Sequence, residues 1–221
     1  MKQILLILVT LVSFSCFSQN EKKFNLDFEV FNQRYLFPKD WIEWGDYPLA
    51  ADTIIVHSGT YSGKIESKKK AHGFGSIAYK IPAHYKGKTI TLEGYMKIRN
   101  VQNGYAGLLL RIDGNDNILV SDNMESQNIN GTTDWKKYAI TLAYPEHAKS
   151  IYVAGIMTGT GEAWFDDFVL TIDGQDVQTL TPIEIPIPPA TLDKEFDLGS
   201  KLVFPEPNEA LISNLEVLGK I

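Results

Sequence analysis

Apolar and polar residues alternate with a period of two along most of the middle of the chain. In residues 88–98 (KTITLEGYMKI), Ile90, Leu92, Gly94, Met96 and Ile98 share one face, and Thr89, Thr91, Glu93, Tyr95 and Lys97 share the other. That alternation is the mark of a strand with one buried face. Residues 105–112 and 118–120 flank Asp113-Gly114-Asn115-Asp116-Asn117, which has the composition of a hairpin turn. Further β-rich runs cover residues 135–142, 150–157 and 162–172, the last followed by an Asp173-Gly174 turn. Shorter candidate strands are residues 24–28, 53–56, 64–67 and 76–81, and no helical periodicity interrupts the series. About nine or ten short strands at this spacing predict an all-β fold, a two-sheet jelly-roll β-sandwich spanning residues 20–178.

The pattern changes at both ends. Residues 4–12 form an apolar run after Lys2, with Ser13, Ser15 and Ser18 beyond it. This is the layout of a secretory signal peptide (residues 1–18), too short to span a bilayer as a stable helix. Two readings of its processing stand: cleavage after Ser18, or lipidation of Cys16, against which Phe14 fits a lipobox poorly. The chain is thus expected to be exported, secreted or periplasmic or held at the cell surface. At the other end, Pro182, Pro186, Pro188 and Pro189 make residues 179–191 an extended, semi-rigid linker. Residues 193–204 are polar and mixed. Residues 208–221 carry Leu211, Ile212, Leu215, Val217 and Leu218, the spacing of a short amphipathic helix entered after Pro207. One helix cannot bury its apolar face alone, so residues 192–221 read as the start of a second domain.

Composition narrows the function. The chain has 221 residues, 44% hydrophobic and 22% charged, with a net charge of −6. An acidic surface argues against nucleic acid and anionic lipid as partners, and Lys68-Lys69-Lys70 is too short a run to line a phosphate groove. Cys16 is the only cysteine, so a mature domain would have neither disulfide nor thiolate chemistry. His57, His72, His84 and His147 stand without metal-ligand spacing and read as solvated or locally bonded. No nucleophile elbow and no phosphate-cradling glycine loop is present, and in Gly59-Thr60-Tyr61-Ser62-Gly63 the serine falls one position late. Enzyme activity within residues 1–221 is not expected.

The carboxylates and aromatics carry the remaining chemistry. Asn25-Leu26-Asp27-Phe28-Glu29 opens the sandwich and Asp166-Asp167 lies near its close. Adjacent residues of a strand point to opposite faces, so only one of the two aspartates should meet a given partner. Paired first and last strands would bring Glu29 to that aspartate, and two such carboxylates call for a cation, for which hard oxygen ligands select calcium. The alternative is that these groups are simply exposed or cap turns. Among the aromatics, Trp41, Trp135 and Trp164 read as core. Trp44, Tyr95 and Tyr105 read as exposed platforms of the kind on which sugar rings stack. Arg111, in the apolar run 108–112, is either a hydrogen-bond donor in a cleft or a side chain snorkelling to an edge.

Several motifs resemble one family. The segment 25–29 followed by Pro38-Lys39-Asp40-Trp41 looks like the opening of jelly-roll carbohydrate-binding modules of the galactose-binding-like superfamily. Residues 161–168 (GEAWFDDF) resemble their closing strand, residues 57–63 (HSGTYSG) their glycine-serine loop, and Asp134-Trp135-Lys136-Lys137-Tyr138 their tryptophan-led strand. The resemblance covers about residues 24–177. It implies a structural calcium ion held by the side chains of Glu29 and Asp167 and by backbone oxygens near His57 and Gly59. It also implies a glycan partner in a cleft across the concave sheet. The tail, from Leu192-Asp193 to Lys220-Ile221, resembles the segment leading into exported serine peptidases of the tail-specific, C-terminal-processing type. Three functions follow: an accessory module that binds glycan and positions an attached hydrolase, a structural or protein-docking domain of an exported peptidase, or an independent hydrolase. The first ranks highest.

Overall fold

The computed structural model describes residues 22–67 and 73–183. The leader with Cys16, the lysine run at 68–70, His72, the linker beyond Ile183 and the expected C-terminal helix lie outside the described residues. Within them the chain is all-β, as the alternation predicts. The strands are β1 (Phe31–Asn32), β2 (Phe37–Pro38), β3 (Trp41–Gly45), β4 (Leu49–Asp52), β5 (Ser62–Ser67), β6 (Phe74–Pro82) and β7 (Thr89–Gln102). They continue with β8 (Ala106–Asp113), β9 (Ile118–Asp122), β10 (Gly131–Ala143), β11 (Ser150–Thr158), β12 (Thr160–Ile172) and β13 (Gln175–Asp176). No helix among the described residues is long and apolar enough to cross a membrane.

Two antiparallel sheets face each other. One has the order β10-β7-β12-β5-β4 with β13 added to β12, and the other runs β3-β6-β11-β8-β9. The core is the sum of their inward faces. Ile90, Leu92, Met96 and Ile98 of β7 meet Leu108, Leu110 and Ile112 of β8 and Ile151, Val153 and Met157 of β11, all buried. Burial of such side chains is the main favourable contribution to folding.

The sequence pattern fails at two short segments. Residues 24–28 form a turn instead of a strand, because Asn25 supplies the bonds that a neighbouring strand would. Its Nδ2 donates to the carbonyls of Val30 (2.9 Å) and Lys39 (3.0 Å), and its Oδ1 accepts the Val30 amide (2.9 Å). Phe28 then takes the left-handed conformation (φ 65°) and stacks on Trp41 at 3.9 Å. Residues 53–56 are likewise not a strand. Asp52 Oδ1 accepts the amides of Ile54 and Ile55 and turns the chain outward, leaving Ile54 88% exposed. The strands that do form nearby are β3 and β4. β3 is an edge strand in which only Trp41 is buried, so its alternation is muted.

Candidate functional site

The outward face of the five-stranded sheet carries an aromatic and polar cluster. By alternation β3 turns Ile42 and Trp44 outward, β11 turns Tyr152, Ala154 and Ile156 outward, and β8 turns Leu109, Arg111 and Asp113 outward. Register sets Trp44 beside Ser76, and Ser76 beside Ile156; two levels along the same face, Tyr152 pairs with both Lys80 and Arg111. The small Ala78 and Ala154 between these levels leave room for bulky rings to lean across. The Trp44 and Tyr152 rings lie 5.2 Å apart at 51°, and the Arg111 guanidinium sits 5.9 Å from the Trp44 ring and 5.6 Å from the Tyr152 ring. Asp113 fixes that guanidinium bidentately, accepting from Nε and Nη2 at 2.7 Å each. Beside them lies an open groove of about 600 Å³, lined by Trp44, Phe74, Tyr105, Arg111, Asn123 and Ile156 among others.

Of the four residues expected to touch a ligand, the groove gathers three, in different ways. Trp44 and Arg111 are half-buried on its surface. Tyr105 contributes only an edge: it is 7% exposed, and its hydroxyl accepts from Asn123 Nδ2 at 2.8 Å. Burial raises the Tyr105 phenol above its ordinary pKa. Tyr95 lies on β7, in the opposite sheet, where its ring stacks on His57 at 3.6 Å. Tyr152 and Asp113 belong to the cluster and escaped the sequence reading. The signal for Tyr152 was present: Ile151, Val153 and Met157 set the inward phase of β11, so its one large aromatic is on the outward phase.

A larger depression, about 690 Å³, lies against the β1–β2 hairpin. Its rim combines the exposed Tyr35 and Leu36, at the tip of a hairpin with two-residue strands, with Trp41, Ile42 and Glu43 of β3 and Leu49 of β4.

The carboxylates meet at one corner of the sandwich. Glu29 reaches the loop at 57–61 and accepts the amides of Thr60 (2.9 Å) and Tyr61 (3.0 Å). Gly59 makes room for it: with φ +62°, a β-carbon there would stand 2.3 Å from Glu29 Oε1. Asp167 approaches the same loop, its Oδ1 accepting the Ser58 hydroxyl (2.9 Å) and its Oδ2 lying 2.7 Å from His57 Nδ1. Asp166 joins them, its Oδ2 accepting the amides of His57 (2.8 Å) and Ser58 (3.2 Å). Both aspartates therefore face one loop, contrary to simple alternation. The reason is a register shift between Asp166 and Val169, with Asp167 in the left-handed region at φ 48°. Burial pushes the Asp166 acid up to about 6 against the pull of the amides it accepts.

The groups that face the loop from this corner are carboxylate oxygens, which belong to the hard donors. A carboxylate offers about four acceptor positions, so Glu29 and Asp167 keep capacity beyond the bonds described. No three His, Cys, Asp or Glu side chains converge on one point among the described residues, so backbone oxygens would have to complete a coordination shell.

Of the tryptophans read as core from the sequence, Trp135 is not, and Trp164 is buried but on the outward face of its sheet. Trp135 is half-buried on β10, its ring edge-on to His57 at 5.6 Å. Trp164 is fully buried, yet from the outer side of its sheet. Lys64 and Arg99 lie over its ring at 5.4 and 5.0 Å, and its Nε1 donates to Asp52 Oδ2 at 2.8 Å. Glu162 links those two cations, accepting from Lys64 Nζ at 2.9 Å and from Arg99 Nε at 2.6 Å.

No family model matches the chain. It is 32% identical over 156 residues to an uncharacterized HTH-type transcriptional regulator, YbfP, of Bacillus subtilis (strain 168), a match covering 67% of this chain and 52% of that protein. The chain thus spans about half the length of the curated relative it matches. Among solved structures, the enzymatically active domain of tailspike protein 4 of bacteriophage CBA120 superposes with a TM-score of 0.52 at 10% identity, over 68% of this chain and 21% of that one. Carbohydrate-binding modules are similar as well. A family 61 module in complex with β-1,4-galactotriose gives a TM-score of 0.46 at 14% identity, covering 67% of this chain and 95% of its own. A family 22 xylan-binding domain from Paenibacillus barcinonensis gives 0.46 at 17% identity, covering 66% of this chain and 97% of its own.

Proposed function

We propose that this chain is an exported, non-catalytic glycan-binding module whose ligand lies along the outward face of the five-stranded sheet. The observation that carries the reading is the Trp44–Tyr152–Arg111–Asp113 cluster beside a groove of about 600 Å³. Sugar rings present apolar C–H faces and a rim of hydroxyls. Aromatic planes satisfy the first, and an oriented guanidinium–carboxylate pair, with donors and acceptors left over at its edges, satisfies the second. Arg111 is already neutralised by Asp113, so the cluster favours a neutral saccharide over a uronate.

The module is further proposed to hold an attached catalytic domain against a glycan, a role that the proline-rich linker and the apolar tail of the sequence support. A regulator that is 32% identical over 156 residues and extends well beyond them fits a domain that serves in more than one protein context. A calcium ion belongs to the same reading. Glu29 and Asp167 would supply carboxylate oxygens and the backbone near His57 and Gly59 the remainder, tying the first turn to the last long strand.

Binding of the purified chain to an array of neutral and acidic polysaccharides tests the reading, with Trp44→Ala and Tyr152→Ala variants alongside. Retention on at least one polysaccharide class, lost in both variants while the fold is retained, is the expected result. Failure of the folded wild type to bind any glycan would overturn it and leave a protein-docking or spacer role.

A further inference from the structure

Ser76 stands out among the polar groups of the sheet. Its hydroxyl is the one buried side-chain polar atom without a hydrogen-bond partner among the described residues. The residue is fully buried, and a buried polar atom left unpaired is a cost that folded proteins rarely carry without a use. Its direction follows from alternation along β6: Ile77, Tyr79 and Ile81 enter the core, so Ser76 points outward with Ala78 and Lys80. Register places it directly between Trp44 and Ile156, both of which line the groove. The orphan hydroxyl does not itself line the groove: it is buried between two side chains that do.

We infer that Ser76 is a ligand-contacting, specificity-determining residue that becomes available when the Trp44 indole moves aside. The inference rests on the glycan reading and deepens it. A serine hydroxyl donates one hydrogen bond and accepts others, which matches a neutral saccharide hydroxyl and offers nothing to an apolar ligand. Trp44 has room on one side: it is half-buried on an edge strand, with no further strand beyond it. With the indole in this position Ser76 is fully buried. A bound sugar ring would take the stacking face of the displaced indole and lower one hydroxyl onto Oγ.

The test compares the wild-type chain with Ser76→Ala on the glycan that the wild type binds, with Trp44→Ala as the platform control. Ser76→Ala removes only an unpaired atom, so its melting temperature should equal or exceed that of the wild type. Its affinity should fall about 3- to 10-fold, the loss of one neutral hydrogen bond. Wild-type affinity in Ser76→Ala, with Trp44→Ala still inactive, would overturn the assignment of Ser76 and spare the glycan reading. A clear drop in melting temperature would make Ser76 a structural residue and overturn the assignment too. A wild type that binds no glycan would overturn both.

Discussion

Replacing Asn25 by alanine should destabilise the sandwich more than any surface change of similar size. The side chain is 5% exposed and makes three hydrogen bonds, to both backbone groups of Val30 and to the Lys39 carbonyl. At about 1 kcal/mol net for each neutral bond, the direct loss is about 3 kcal/mol. The three backbone groups left behind have little access to water, which raises the cost toward ~4 kcal/mol. For a domain of roughly 160 residues, each kcal/mol moves the melting temperature by about 2–4 °C, so a fall of about 6–16 °C is expected. Asn25→Asp sharpens the test. It keeps an acceptor for the Val30 amide but turns a carboxylate oxygen toward two carbonyls, so at neutral pH it should be at least as damaging as alanine. Differential scanning fluorimetry with urea titration reads both variants. A shift under about 2 °C for Asn25→Ala would refute the claim that this side chain, and not strand pairing, holds the opening turn.

Three further outcomes follow from the geometry. Gly155→Ala puts a β-carbon 2.4 Å from the Phe165 ring. It should cost about 1–3 kcal/mol by overpacking, read as a lowered urea midpoint, and an unchanged midpoint would show that the ring can give way. For Glu162, burial opposes ionisation, but the bonds from Lys64 and Arg99 outweigh it and hold the carboxyl below its ordinary 4.5. A depressed folded-state pKa contributes stability above the unfolded value and loses it as pH falls through the folded one. The gap in urea midpoint between wild type and Glu162→Gln should therefore be present at pH 7 and shrink as the pH falls below the ordinary carboxylate range, and a gap that stays constant would refute the ion-pair account. Finally, added calcium should raise the melting temperature of the wild type and EDTA should reverse the rise, with no response in Glu29→Gln. A wild type indifferent to calcium would leave that corner held by its own hydrogen bonds.

The long strands were legible because burial on one face forces a period of two, as in β7 and β11. The segments that misled are those where a polar side chain replaces a neighbouring strand. Asn25 and Asp52 satisfy the backbone locally, and nothing in an apolar pattern reports that. Of the residues singled out by type, Trp44 and Arg111 line one groove, whereas Tyr95 sits on the other sheet. Strand phase gives the face of a sheet but does not say which sheet the strand joins. Trp164 shows a related limit: two cations from neighbouring strands lie over its ring, joined by a glutamate of its own strand. Ser76 was invisible to sequence reasoning, since a serine within a strand carries no sign of lacking a partner.

The extra residue in β12 has a consequence for how this domain can change over time. Before it, Ala163 and Phe165 enter the core at odd positions; after it, Phe168, Leu170 and Ile172 enter at even ones. The two halves of one strand are thus written in different frames, and the aspartate pair is the splice between them. A substitution at Asp166 or Asp167 removes a few bonds at one corner. Deleting a single residue there would transpose one half of the strand, turning Leu170 and Ile172 to solvent or Trp164 and Glu162 into the core. A point change leaves both frames in place, whereas a length change does not, so length should be the more strictly kept of the two.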